Sequence, residues 1–472
     1  MDGMLYERIA GEIGASIAAG ALRAGERLPS VRALSVERGV SVATVLSAYE
    51  HLEREGLVET RPRSGHFVRR RSALTADPRP ARRSTAAVPV RSVSDAVAAL
   101  QSSMRDPAVV ALGSAYLAPE LLPMEALNRL TSSIARDMQQ VGATYEVPPG
   151  ARALRRQLAR RALDWALPLG EDDFTVTIGG TEAVSLALGA VTKPGDAVVV
   201  ESPTYFGILQ ILEQLSLRAV EVPAHPRTGI DLDALADALR AGPIRAAVVV
   251  TTASNPLGAV MSDDDRERLV RLLARHDVPL IEDDVYGDLV FDGTRPRPAK
   301  AFDRDGRVLY CGSASKTLAP GLRVGWVAAG RYDALVRRRQ YALTLCCPTL
   351  PQLTVAEFLA SPAYDRHVRR LRAAVASQVA HVRDEVVATF PEGTRVTDPR
   401  GGFVLWVELP PGVKSLEVAE RALTHGVALA PGPMFSARGR FTHALRISCG
   451  LPWSPAIARA IGTVAEVARR CA

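Results

Sequence analysis

At 472 residues the chain is too long for one ordinary folding unit and ample for a small module joined to a large one. Its composition, 47% apolar with only 5% aromatics, is that of a globular protein with an aliphatic core, and no run approaches the ~20 apolar residues of a membrane span. The net charge of +7 is uneven: up to Arg91, fifteen arginines face ten acidic residues, while the rest holds 43 basic and 41 acidic, so a polyanion partner is expected at the N-terminal end.

The chain opens MDGMLYERIAGEI, without a basic stretch followed by an apolar run, so neither secretion nor membrane insertion is expected and a cytoplasmic location is. Over residues 4 to 60, apolar side chains recur at three-to-four spacing in LYERIAGEIGASIAAG, VRALSVERG and SVATVLSAYEHLEREG, which predicts helix, helix, turn, helix. Ser30 and Ser41 stand where N-caps belong, each hydroxyl able to accept from a free backbone N–H of the first turn, and Gly39 lets the chain turn between two helices. After Gly56, LVETRP, the turn RSG and HFVRR read as a two-stranded ribbon, a wing. Residues 69–95 are rich in Arg, Pro, Ala and Ser with no hydrophobic period, which predicts a flexible basic linker between a module at 1–68 and a large domain at 96–472.

Beyond the linker, FTVTI, AVVVES, AVEVP, AAVVVTT, PLIED, VLYCG and RVGWVAA alternate with helical stretches. Continuous apolar runs suit strands buried on both faces, so the expectation is an α/β domain around a mostly parallel, seven-stranded sheet. From about Tyr341, Arg-studded helices followed by GGFVLWVEL and ALRISCG predict a smaller α+β subdomain. The five cysteines, Cys311, Cys346, Cys347, Cys449 and Cys471, show no CxxC spacing and read as reduced core thiols, with no metal expected. Of only four lysines, Lys193, Lys300 and Lys414 lie in loops and read as solvent-exposed charges; Lys316 alone sits between a buried strand and a glycine-containing loop, in CGSASKTLAPGLRVGW.

The segment GERLPSVRALSVERGVSVATVLSAYEHLEREGLVETRPRSGHFV resembles the GntR-type winged helix-turn-helix. In that fold the helix starting near Ser41 enters the major groove and the wing tip reaches the neighbouring minor groove. The resemblance implies that Arg32, Ser41, Thr44, Arg63, Ser64, Gly65 and His66 lie at or near double-stranded DNA, with Gly65 in a turn requiring positive φ. One departure stands out: where many members carry Arg after the GVS triplet, this chain has Val42 and Ala43, and valine offers only apolar contact.

The Lys316 segment resembles the Schiff-base site of fold-type I pyridoxal-phosphate (PLP) enzymes, and GGTEA, SPTYFG, NPLG, EDDVY and LRIS follow the order of class I aminotransferases. That resemblance implies PLP as cofactor, joined to Lys316, with Ser313, Ser315 and Arg323 near its phosphate. Backbone N–H groups of Gly180, Thr181 and Glu182 would bind the phosphate at a helix N-terminus, and Tyr205 would stack on the pyridine ring. Asp283, three residues before Tyr286, is implied as partner of the ring nitrogen, with Asp284 as competitor; Asn255 and Tyr286 would hold the phenolic oxygen. Arg446 is implied to grip an amino acid's α-carboxylate, and Tyr145 to reach the phosphate of a partner subunit in a homodimer.

Taken together the halves resemble the MocR/GabR regulators: a PLP-dependent DNA-binding transcriptional regulator sensing PLP, an amine or an amino acid. A working aminotransferase with an appended DNA-binding segment is the rival reading, and a purely structural cofactor a third.

Overall fold

The computed structural model describes residues 3–18, 21–22, 26–54, 57–61, 65–68, 76–91, 93–103, 105–138, 140, 142–292 and 294–472. The N-terminal module consists of helices Gly3–Ala18, Val31–Arg38 and Val42–Arg54 and an antiparallel ribbon of Val58–Arg61 with Gly65–Val68. Ser30 caps its helix by accepting from the Ala33 N–H at 3.2 Å, and Gly39 ends that helix with φ +64°, the left-handed conformation that glycine adopts without steric cost. The apolar positions read from the periodicity close one small core, in which Ile9, Leu34, Val45, Tyr49, Leu52 and Val68 are buried together. Arg27 and Leu28 bridge to the ribbon, tying the wing to the helices.

The large domain is built on a sheet whose strands run in the order Val88–Pro89, Arg218–His225, Ala197–Ser202, Ala246–Val249, Leu280–Asp283, Val308–Ser313, Gly325–Ala328 and Thr175–Thr177. The seven expected strands are all present; Gly325–Ala328 is antiparallel to both its neighbours, and Val88–Pro89 and Gly229–Ile230 add short antiparallel edges. Valine-rich runs form these strands because both faces are covered. In Ala197–Ser202, Val198 and Val200 face one hydrophobic cluster while Ala197 and Val199 face the other. A four-stranded antiparallel sheet, Arg395–Val396, Val404–Glu408, Ala444–Ser448 and Ala430–Pro431, packs with helices Pro362–Thr389, Ser415–Thr424 and Pro455–Arg470 as the smaller subdomain. It also recruits chain from far upstream, since Val110–Ala111 pairs in parallel with Val427–Ala428.

Two expectations are corrected. The linker expected to be flexible over 69–95 is held along its second half: residues 69–75 and 92 lie outside the described residues, but 76–91 run along the body. Asp77 pairs with Arg227 at 2.6 Å, the Arg79 N–H donates to Glu408 at 2.7 Å, Arg83 pairs with Asp231 at 2.9 Å, and Val88–Pro89 joins the sheet. The segment lacks a hydrophobic period because backbone and charged contacts hold it rather than an apolar face. Helix Val93–Ser103 then begins inside the expected linker and packs Val97 and Leu100 into the core. Lys300, expected to be exposed, is instead buried, its ammonium donating to Asp303 at 2.9 Å and to the Val308 carbonyl at 2.7 Å. No helix among the described residues is long and apolar enough to cross a membrane.

Candidate functional site

The carboxyl ends of the parallel strands, where open α/β sheets place their ligands, surround a cavity of about 310 Å³. Each strand delivers a group to it through the loop that follows: Gly180 and Thr181 after Thr175–Thr177, Tyr205 after Ala197–Ser202, Asn255 after Ala246–Val249, and Ser315 and Lys316 after Val308–Ser313. Asp283 and Ser313 are themselves the last residues of their strands, and Arg446 projects from the smaller subdomain's sheet.

Helix Gly179–Val191 begins at the cavity, so the N–H groups of its first turn, at Gly180 and Thr181, have no intrahelical acceptor and the positive end of its dipole points at the space. Gly179, at φ +79°, is required here: a Cβ would lie 2.4 Å from the Arg323 guanidinium, which packs over it and donates to the Ile178 carbonyl at 3.1 Å. The Ser313 and Ser315 hydroxyls lie 2.8 Å apart beside this helix end. N–H groups, two hydroxyls and a guanidinium converging on one pole form a set that neutralises a phosphate.

Lys316 reaches into the cavity, its ammonium donating to the Ala115 carbonyl at 2.6 Å. Burial, reinforced by Arg446 and Arg323 and opposed by Asp283, pulls its pKa down to about 8. A substantial fraction is therefore the neutral, nucleophilic amine near physiological pH. Burial and the neighbouring Asp284 push Asp283 up to about 7, and its Oδ1 has no hydrogen-bond partner. Asp284 turns the other way, paired with Arg295 and accepting from the Tyr310 hydroxyl at 3.0 Å. The two carboxylates serve different faces of the strand end, and only Asp283 lines the cavity. Tyr205 and Tyr286, both raised by burial, line it as well, and Tyr286 is hydrogen-bonded to Asn255. Gly207 leaves room for the Tyr205 ring, which a Cβ would meet at 2.4 Å.

Arg446 is 0% exposed and lies between the rings of Phe206 and Phe435, at 5.2 and 5.1 Å. It donates to the Asn255 side-chain oxygen at 3.2 Å and to the Gly113 carbonyl at 2.5 Å; Nε has no partner, and no carboxylate within ion-pair distance appears among the described residues. Burial lowers its pKa to about 10. The unpaired Asp283 oxygen, the unpaired Arg446 nitrogen, the lowered lysine and the phosphate-type pole fit a pyridinium aldehyde phosphate carrying an amino acid, group for group.

Glu182, expected to act through its backbone N–H, turns its carboxylate away to accept from the Ile178 N–H at 2.5 Å, and Tyr145, expected at the site of a partner subunit, stands 75% exposed on the surface. Residues missed in the sequence include Gly113, Ser114 and Ala115, and the wall made by Val97, Leu100 and Gln101. Glu201 was also missed: burial raises its pKa to about 8 close to Asp283, and a lone carboxylate in the apolar run AVVVES was the available signal.

In the N-terminal module, Ser41 and Thr44 engage one another: their hydroxyl oxygens are 2.7 Å apart and the Thr44 N–H donates to Ser41 at 3.0 Å. Arg32 is exposed, and Gly65 has φ +103°. His66 is half-buried, its ring 4.6 Å from that of Tyr49 and its Nδ1 3.0 Å from the Thr60 hydroxyl, so it is part of the wing's packing. Arg63 and Ser64 lie outside the described residues.

Comparison with known proteins matches residues 5–68 to the bacterial regulatory proteins of the gntR family and residues 116–454 to aminotransferase class I and II. The uncharacterized HTH-type transcriptional regulator YjiR of Escherichia coli K12 is 39% identical over 469 residues, covering 98% of this chain and 99% of that one. Aromatic-amino-acid aminotransferase 1 of Thermococcus litoralis is 29% identical but covers only 72% of this chain and 83% of its own. Among solved structures, LysN, the alpha-aminoadipate aminotransferase of Thermus thermophilus complexed with N-(5'-phosphopyridoxyl)-L-leucine, superposes with a TM-score of 0.73 at 26% identity, covering 80% of this chain and 97% of that one. The aminotransferases account for the body alone, whereas the regulator aligns end to end through the DNA-binding module, and this chain belongs to the MocR-type transcription regulators, in which a GntR-type winged helix is joined to a class I and II aminotransferase domain.

Proposed function

We propose that this PLP-dependent DNA-binding regulator senses an amine, an amino acid or PLP itself in the cavity of its body and converts occupancy into a change of DNA affinity. The observation that carries the reading is Arg446, a wholly buried guanidinium with no acidic partner among the described residues. Burying an unpaired ion costs several kcal/mol, and a carboxylate arriving from solvent offsets that cost.

The residues fit the cofactor in a simple division. Lys316 would hold it covalently; Ser313, Ser315, Arg323 and the first-turn N–H groups of Gly180, Thr181 and Glu182 would hold the phosphate; Asp283 would partner the ring nitrogen, Asn255 and Tyr286 the phenolic oxygen, and Tyr205 would stack on the ring. When bound, PLP supplies an aldehyde that exchanges between amines and a ring that withdraws electrons. The chain's own part is to keep the Lys316 amine partly unprotonated and to hold Asp283 where a protonated ring nitrogen is stabilised as its ionised partner. Arg446 fixes an incoming carboxylate from the subdomain side, so a carboxylate-bearing effector touches both subdomains at once. A ligand shifts a conformational equilibrium only through such differential contacts.

The exposed Tyr145 supports a homodimer in which it reaches the partner's phosphate site, and a regulator of this kind acts in the cytoplasm. The rival reading, an aminotransferase with an appended DNA-binding segment, uses the same groups; the end-to-end relationship to a regulator favours sensing. The test is a footprint on the DNA upstream of the protein's own gene, with and without PLP and a panel of amino acids. Protection that changes with PLP or an amino acid is expected; identical protection throughout would make the cofactor a structural element.

A further inference from the structure

The cavity leaves unexplained the surface of the recognition helix. Val42–Arg54 packs inward with Val45, Ala48, Tyr49 and Leu52, each 0% exposed. Its outward side carries Val42 at 50% and Leu46 at 43% exposure, one turn apart on the same face, with exposed Ala43 beside them. Single exposed apolar side chains are common and need no explanation. These two, however, occupy the end of the helix that a helix-turn-helix presents to base edges. Of the hydroxyls at that end, Ser41 and Thr44 lie 2.7 Å apart, so one of them donates to the other. Beside these hydroxyls and that of the half-buried Ser47, the first two turns offer methyl groups outward and no cationic or amide side chain for a purine edge. In the major groove the apolar feature is the 5-methyl group of thymine.

We propose that this chain reads its operator through thymine methyls, with Val42 and Leu46 packed against the 5-methyl groups of two thymines in each half-site. The exposed Arg32 supplies sequence-independent attraction to phosphate. Residues four apart rise about 6 Å along a helix, or about two base-pair steps of ~3.4 Å, so the two thymines are expected close together in the site. The proposal rests on the N-terminal module's role in DNA binding and goes beyond it in naming what is read.

The experiment starts from random-sequence duplexes selected by the full-length protein. The retained duplexes are remade with deoxyuridine in place of thymine, which removes the 5-methyl and nothing else, and retention is compared. Thymine enrichment at two nearby positions per half-site is expected, with each critical replacement weakening binding about fourfold, the effect of losing one buried methyl. Val42→Ala and Leu46→Ala, at exposed positions that keep the fold, should weaken binding to the thymine duplex by a similar factor and abolish the response to deoxyuridine at the matching position. Arg32→Ala should weaken both duplexes equally and flatten the salt dependence. Equal retention of thymine and deoxyuridine duplexes, or selected sites without thymine enrichment, would overturn the proposal. Failure to select any duplex would instead remove the DNA-binding role on which it rests.

Discussion

The body places Lys316, Asp283 and Arg446 around one cavity, whereas the N-terminal module keeps Arg32 in solvent and, among its described residues, buries only apolar side chains and the aromatic ring of Tyr49. Ions taken out of water cost several kcal/mol each and shift their pKa values, while exposed side chains contribute little to stability. The difference teaches where specificity resides in each half. The body holds unpaired buried charge for a ligand to complete, and the module holds an open surface whose partner brings its own shape and charge.

The sharpest break of this comparison is Lys316→Ala. Loss of the amine should abolish the absorbance of the covalently held cofactor completely while the protein elutes as the same folded species; a retained band would contradict the assignment. In the unaltered protein the neutral fraction of this amine grows as pH rises through its lowered pKa of about 8, so cofactor capture by the cofactor-free protein should accelerate from pH 7 to 9 and then level off.

Next in size is Arg446→Met. Removing one partner of a buried charge pair costs roughly 2–5 kcal/mol, so amines bearing an α-carboxylate should bind about 30-fold to several thousandfold weaker in absorbance titrations. Amines lacking the carboxylate should be little affected, and equal losses for both classes would show that Arg446 acts only through packing.

Asp283→Asn sharpens the comparison through pH. The folded pKa of about 7 lies above the ordinary 3.8, so the cofactor-free fold binds an extra proton and loses stability as pH climbs from about 4 through 7. Asparagine removes that penalty: Tm of the cofactor-free protein should rise at pH 8, by an amount corresponding to about 4 kcal/mol, and stay unchanged at pH 4. Cofactor retention should weaken at the same time. The smallest effect is expected at the exposed end of the scale: Arg83→Ala, which breaks ion pairs to Asp231 and Asp237, should cost less than about 1 kcal/mol in thermal unfolding.

How much of this was legible follows from which contacts are local. The strands were readable because covering both sheet faces demands uninterrupted valine and alanine, as in AVVVES and AAVVV. The module's helices were readable because caps such as Ser30 and Gly39 act within a few residues of themselves. The hold on residues 76–91 was not, since its partners Asp231, Asp237 and Glu408 stand more than a hundred residues away in the chain. Helix Val93–Ser103 carries an apolar spacing in VSDAVAALQSS that the linker expectation overran. Lys300 had a local clue, Asp303 three residues on, but the Val308 carbonyl that completes its burial is set by the strand. The separation of Asp283 from Asp284 depends on Arg295 and Tyr310 waiting on the far side of the sheet, which the spacing to Tyr286 does not reveal. The packing of His66 on Tyr49 was not legible either, since it depends on how the wing folds over the third helix.

The central claim, that occupancy of the cavity governs the grip on DNA, is tested most directly by one titration with two readouts. Full-length protein loaded with PLP and bound to a duplex selected for retention is titrated with amino acids while cofactor absorbance and DNA retardation are followed in the same samples. The account predicts that for at least one amino acid both signals move with a common midpoint. Absorbance that changes through the whole titration while DNA binding stays constant would contradict it.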